Sequence, residues 1–207
     1  MISCFRVGPL DTNCYFLVTE KSRFAAVVDP GDDAEYLVDL ISASGILPKL
    51  IVLTHGHFDH VLAAKTLESV FQIPVFCDSR DKFLLDRMKE TAEYYLGHAV
   101  PDEPPLNIKN IFAVDFRKYE VPELVIIHTP GHTPGGISLY LPNESLIITG
   151  DLVFADGAIG RTDHSYSNRS ELNRSLKTVF TLPDDTVIYP GHGPKTTVKR
   201  VKLFYQV

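Results

Sequence analysis

The chain has 207 residues, 44% of them hydrophobic and 22% charged, and a formal net charge of -6. That composition is ordinary for a soluble globular protein, and the length suits one sheet-built domain, so a single domain over 1–207 is expected. The acidic balance offers no general attraction to nucleic-acid phosphates or anionic lipid, and neither is expected as a partner.

The stretch from Met1 to Arg6 lacks a basic region followed by a long apolar one. No signal peptide is expected. No apolar run approaches the ~20 residues that cross a bilayer, and the cytoplasm is the expected compartment. The first thirty residues read as strands, with 13–19 and 24–28 rich in aromatic and β-branched side chains. Asp29-Pro30-Gly31-Asp32 is turn punctuation. Residues 34–44 have helical spacing, with Leu37, Leu40 and Ile41 on one face and Gly45 closing the helix. Residues 50–53 form a continuous apolar run, the pattern of a strand buried on both faces. A helix is expected over 61–71, a short strand over 74–76 and a long amphipathic helix over 79–96, with Phe83, Leu84, Met88 and Tyr95 on its packing face. Residues 101–105 read as a loop. Strands follow at 124–127, 137–141 and 145–148, the last two joined by a Pro142-Asn143-Glu144 turn. A helix over 171–180 and a strand over 186–189 complete a mixed α/β class. Lys195, Lys199, Arg200 and Lys202 make a small basic patch, read as a solvated face. Cys4, Cys14 and Cys77 show no C-x-x-C spacing and read as buried free thiols in a reducing compartment.

The chemistry lies in His55-Gly56-His57-Phe58-Asp59-His60. Residues two apart in an extended chain point the same way, so His55 and His57 reach one metal ion from one backbone segment. Asp59 and His60 follow a change of direction and face a second point. Gly56 leaves the approach open. The segment follows a buried strand, and α/β sheets place their sites at the carboxyl ends of strands. His132, Asp151 and His192 each lie beside a glycine near the end of an apolar run, which brings the nitrogen and oxygen donors to seven. A catalytic zinc takes about three protein ligands, so seven suit two metals with a shared carboxylate. Imidazole and carboxylate serve zinc, iron and manganese alike, with zinc expected.

The order H-x-H-x-D-H, then His132, Asp151 and His192, resembles the metallo-β-lactamase-fold hydrolases over nearly the whole chain. Asp29-Pro30-Gly31 is similar to the turn that precedes the family's motif. The resemblance implies an α/β fold of the four-layer αββα sandwich type. It implies two divalent ions, one held by His55, His57 and His132, the other by Asp59, His60 and His192, with Asp151 bridging. Asp11-Thr12-Asn13-Cys14-Tyr15, Gly150 to Phe154 and Gly160-Arg161-Thr162-Asp163 are similar to the glyoxalase II-like branch, and the short single-domain members match best. In that branch a metal-activated hydroxide cleaves an acyl-thioester such as S-lactoylglutathione, and a small-molecule acyl-thiol is the expected partner. Asp59 has a second candidate role in orienting water or passing a proton. Arg161 is a candidate for binding a substrate carboxylate, or else pairs with Asp156 or Asp163. His98, His128 and His164 are assigned structural or solvent roles. The alternative activities on this fold are a mononuclear-iron persulfide dioxygenase and, behind it, a nucleic-acid-processing hydrolase.

Overall fold

The computed structural model describes residues 1–19, 21–100, 103–105 and 107–206. They fall into two compact units, Met1–Pro122 and Glu123–Val207. Pro101 and Asp102, the start of the expected loop at 101–105, lie outside the described residues.

The first unit is built on a six-stranded sheet in chain order. Strands β1 (Ile2–Val7), β2 (Thr12–Val18) and β3 (Phe24–Val28) run antiparallel, and β3, β4 (Leu47–Val52), β5 (Val75–Cys77) and β6 (Ile108–Asn110) run parallel. Parallel neighbours need crossovers, which the helices supply. Helix α1 (Ala34–Ser44) joins β3 to β4, and α2 (Ala64–Phe71) joins β4 to β5. Both faces of β2, β3 and the end of β4 are buried, which explains their unbroken apolar runs. On one face Phe16, Val27, Ile51 and Val75 pack with Leu37 and Ile41 of α1 and Leu67 of α2. The expected helix over 34–44 and its Gly45 stop stand as read, with Gly45 left-handed at φ 66.

Two expected helices differ. The one over 61–71 starts only at Ala64, because residues 58–60 form a separate 3-10 turn. The one over 79–96 is a 3-10 turn followed by α3 (Lys82–Asp86) and α4 (Met88–Leu96), broken at Arg87, whose φ is -110. The break turns the packing face to Leu85, Met88 and Ala92, so Phe83 and Tyr95 of the expected face are exposed. The short β6 carries Lys109 and Asn110 and has no apolar pattern to announce it.

The second unit holds a five-stranded sheet ordered β11, β10, β9, β8, β7. Strands β7 (Val125–His128), β8 (Ile137–Leu141) and β9 (Leu146–Gly150) form an antiparallel meander. The expected turn at 142–144 is there, as a 3-10 turn that ends on left-handed Ser145. Helix α5 (Arg169–Val179) then crosses to β10 (Val187–Pro190), parallel to β9. Strand β11 (Thr196–Thr197) and α6 (Val198–Tyr205) close the unit. Leu172, Leu176 and Val179 of α5 pack with Ile147, Ile188, Val198 and Val201. The basic patch falls on β11's approach and on α6, where Lys202 pairs with Asp184 at 2.7 Å. Asn168 caps α5, its side chain accepting from the Glu171 N–H at 3.1 Å. Asn168→Ala is expected to cost about 1 kcal/mol in chemical denaturation, the usual loss for a removed N-cap.

Cys14 and Cys77 are buried as expected, but Cys4 is exposed, because β1 lies at the sheet edge. Burial pushes the Cys14 and Cys77 thiols well up from their ordinary value. Ellman's reagent is therefore expected to titrate Cys4 alone in the native protein and all three thiols after unfolding. Fast native reaction of Cys14 or Cys77 would contradict this packing. No helix among the described residues is long and apolar enough to cross a membrane.

Candidate metal centre

In the first unit the donors sit where two parallel strands end together. Val28 of β3 pairs with Val52 of β4, so Asp29 and Thr54 emerge side by side. The Asp29 carboxylate accepts from the Thr54 N–H at 2.7 Å and from the Thr54 hydroxyl at 2.6 Å. It also accepts from His60 Nδ1 at 2.9 Å. A threonine hydroxyl has one proton, and here Asp29 takes it. Thr54 Oγ1 must then accept from His55 Nδ1, 3.1 Å away. Both His55 and His60 are thereby held as Nδ1–H tautomers that present the Nε2 lone pair. Support of this kind, behind the ligand, is what metal-binding imidazoles ordinarily have.

The remaining donor atoms lie at separations that suit metal binding. His55 Nε2 lies 3.1 Å from His57 Nδ1. Two imidazole nitrogens on one tetrahedral zinc would be about 3.3 Å apart, given bonds of roughly 2.0–2.1 Å. Asp59 Oδ2 lies 3.6 Å from His60 Nε2, too long for a hydrogen bond, and accepts from Thr12 Oγ1 at 3.2 Å. Two glycines allow this packing. The Gly56 N–H donates to Asp81 at 2.9 Å, and a Cβ there would lie 2.9 Å from Leu84 Cβ. A Cβ on Gly31 would lie 1.9 Å from the Asp59 carbonyl oxygen.

The second unit repeats the device. Gly150 of β9 pairs with Pro190 of the parallel β10, and the Gly191 N–H donates to the Gly150 carbonyl at 2.8 Å. Asp151 and His192 therefore leave adjacent strand ends. Asp151 Oδ2 lies 3.6 Å from His192 Nε2 and 3.7 Å from His132 Nε2. One carboxylate oxygen thus stands at nearly equal distance from two imidazole nitrogens, beyond hydrogen-bond range of either. His132 Nδ1 donates to the Arg161 carbonyl at 2.8 Å, which puts the ring's lone pair on Nε2. The His132 loop is tied to α5 and the residues before it. Ser167 donates to the His132 carbonyl at 2.7 Å, and Ser175 donates to the Pro130 carbonyl at 2.7 Å. Among the described residues, His and Asp side chains, with no thiolate among them, form clusters that fit a dinuclear metal site.

Arg161 is exposed, and its guanidinium donates to Asp163 at 3.0 and 2.8 Å. That ion pair holds the Asp163 carboxyl down at about 2. His128 Nε2 meets the Pro134 carbonyl at 3.2 Å, His98 is exposed at the surface, and His164 stacks on Tyr166. The sequence reading gives Asp29 only a place in a turn, and gives Thr54 and Asp81 no part. The only local sign was a carboxylate between an apolar strand and Pro-Gly; the partners are set by the β3–β4 register.

The sequence profile of the Metallo-beta-lactamase superfamily matches residues 7–192. Hydroxyacylglutathione hydrolase GloC of Haemophilus influenzae is 34% identical over 207 aligned positions, which cover 97% of this chain and 94% of that one. Among solved structures, the B3 metallo-β-lactamase BLEG-1 superposes with a TM-score of 0.86 at 30% identity, covering 98% of this chain and 96% of its own. The protein TTHA1623 in a di-iron-bound form gives 0.84 at 33% identity, covering 97% and 96%. The architecture is the metallo-β-lactamase fold, an α/β sandwich. By a match over most of its length, the chain belongs to the metallo-β-lactamase superfamily and is a metallo-hydrolase of that family.

Proposed function

We propose that this metallo-hydrolase cleaves a small acyl-thioester of the S-lactoylglutathione type. The observation that carries the hydrolytic reading is Asp151 Oδ2, placed 3.7 and 3.6 Å from the Nε2 atoms of His132 and His192, where one oxygen can serve two cations. The thioester is supported by the likeness to the hydroxyacylglutathione hydrolase. In this reading His55, His57 and His132 would hold one ion, Asp59, His60 and His192 would hold the other, and Asp151 would serve both. That pairing follows the family's order of motifs.

Divalent cations so held would supply a water of lowered pKa and polarise the substrate carbonyl. The chain's own residues do the rest. Asp29 and Thr54 fix the imidazole tautomers, so the lone pairs are in place before substrate arrives. Asp59, anchored by the Thr12 hydroxyl, keeps a carboxylate edge that can orient the attacking water or pass its proton. A thiolate departs without strong protonation, so the reaction makes little demand for a separate general acid. Arg161 reaches a substrate carboxylate only by giving up Asp163.

Metal analysis of the purified protein beside a hydrolysis screen tests the proposal. About two zinc, iron or manganese ions per chain and turnover of acyl-thiols are expected. One iron per chain with oxygen consumption on a persulfide would replace this reading with the dioxygenase. Turnover of β-lactams in preference to thioesters would replace the substrate class.

A further inference from the structure

We propose that an open cleft in the second unit is the subsite for a carboxylate-ended arm of the substrate, with Arg200 holding the carboxylate. The proposal rests on the hydrolase reading above and names part of its substrate. The cleft has a volume of about 540 Å3 and is lined by Phe154, Asp156, His192, Pro194 and Arg200 among others. That volume is typical of a small-molecule site. One wall is His192 itself, with the Phe154 ring centred 6.3 Å from the imidazole, so the cleft opens on a residue of the donor cluster. Its lining is mainly apolar beside that histidine, which suits methylenes.

Arg200 supplies the anchor. It lies in the first turn of α6, where its backbone N–H donates to Thr197 Oγ1 at 3.2 Å. Among the described residues its guanidinium has no ion-pair partner, whereas Arg161, Arg174 and Lys202 of the same unit are paired with Asp163, Glu171 and Asp184. The guanidinium fork suits a carboxylate. Asp156 also lines the cleft, its Oδ1 accepting from the Ala158 N–H at 2.9 Å. One cation and one anion leave the cleft near neutral, which favours a singly charged carboxylate over a phosphate dianion. The basic tail read from sequence as a solvated face thus contains one side chain with a binding role.

Arg200→Met keeps the stem and removes the charge, and thermal unfolding confirms that it folds. Three acetyl or succinyl thioesters are compared on the metal-loaded enzyme: S-acetyl-3-mercaptopropionate, S-succinyl-N-acetylcysteamine and the neutral S-acetyl-N-acetylcysteamine. The variant is expected to lose about tenfold or more in kcat/KM, chiefly through KM, on at least one charged substrate. The neutral substrate should change by less than about twofold, and Arg200→Lys should recover part of the loss. Separately, 3-(methylthio)propionate is titrated into metal-free protein and followed by NMR. Shifts at Phe154 and Gly193 in the wild type, lost in Arg200→Met, support the subsite. Equal losses on charged and neutral substrates, or no such shifts in the wild type, overturn it. If no thioester is turned over but the Arg200-dependent shifts are seen, the subsite stands and the thioesterase reading falls.

Discussion

Asp151→Ala is expected to lower thioester hydrolysis by roughly 10^3-fold or more and to reduce bound metal below two ions per chain. The argument is geometric. Asp151 Oδ2 lies 3.7 and 3.6 Å from His132 Nε2 and His192 Nε2, too far to hydrogen-bond to either. Those separations suit atoms that meet through cations instead. Removing the carboxylate takes away a negative charge between two imidazoles and, in the reading proposed above, would leave each cation short of a ligand. The side chain is partly exposed, so truncation leaves no large cavity and the fold should persist. Asp151→Asn keeps the shape and loses the charge. It should retain more metal than the alanine variant, yet little activity. Metal content by mass spectrometry and single-substrate kinetics on the same samples decide the matter. Unchanged hydrolysis in Asp151→Ala would remove the shared-carboxylate reading altogether.

The comparison of sequence with structure follows the range of the signals involved. Helix α1 was legible to the residue, because its apolar spacing and its Gly45 stop are both local. The candidate donors stood out in sequence because His55 and His57 flank Gly56, and His132, Asp151 and His192 each follow a glycine where an apolar strand runs out. The helix over 79–96 was misread because Arg87 breaks it without a proline or glycine to mark the place. Strand β6 and strand β11, with three and two residues, are too short for any period, and β11 is seen only through its pairing with β10. The supports behind the donors were illegible for a further reason. Asp29 meets Thr54 and His60 only because Val28 and Val52 share a register, and Asp151 meets His192 only because Gly150 and Pro190 do. Register between parallel strands depends on the crossover helices, and hydrophobic alternation does not encode it.

The same register makes Asp29 the most informative residue behind the donors. Asp29→Ala is expected to destabilise the metal-free protein by about 3–5 kcal/mol, since it strips acceptors from buried donors. The groups left are the Thr54 N–H, the Thr54 hydroxyl and His60 Nδ1, now bonded at 2.7, 2.6 and 2.9 Å. Part of the loss is backbone strain, because residue 29 has φ 50, a left-handed conformation that alanine resists at about 1 kcal/mol. Asparagine tolerates that conformation, and Asp29→Asn should fold with a smaller loss. Its metal binding should nevertheless fall at least as far as the 10–100-fold typical of lost support behind a ligand. With the amide oxygen accepting from the Thr54 N–H, the amide NH2 faces His60 Nδ1. That nitrogen must then become an acceptor, which moves the proton to Nε2 and removes the lone pair offered to the cation. Thermal unfolding of the metal-free variants, set against zinc titrations, separates the two effects. Wild-type zinc affinity in Asp29→Asn would show that the His60 tautomer is not set by Asp29.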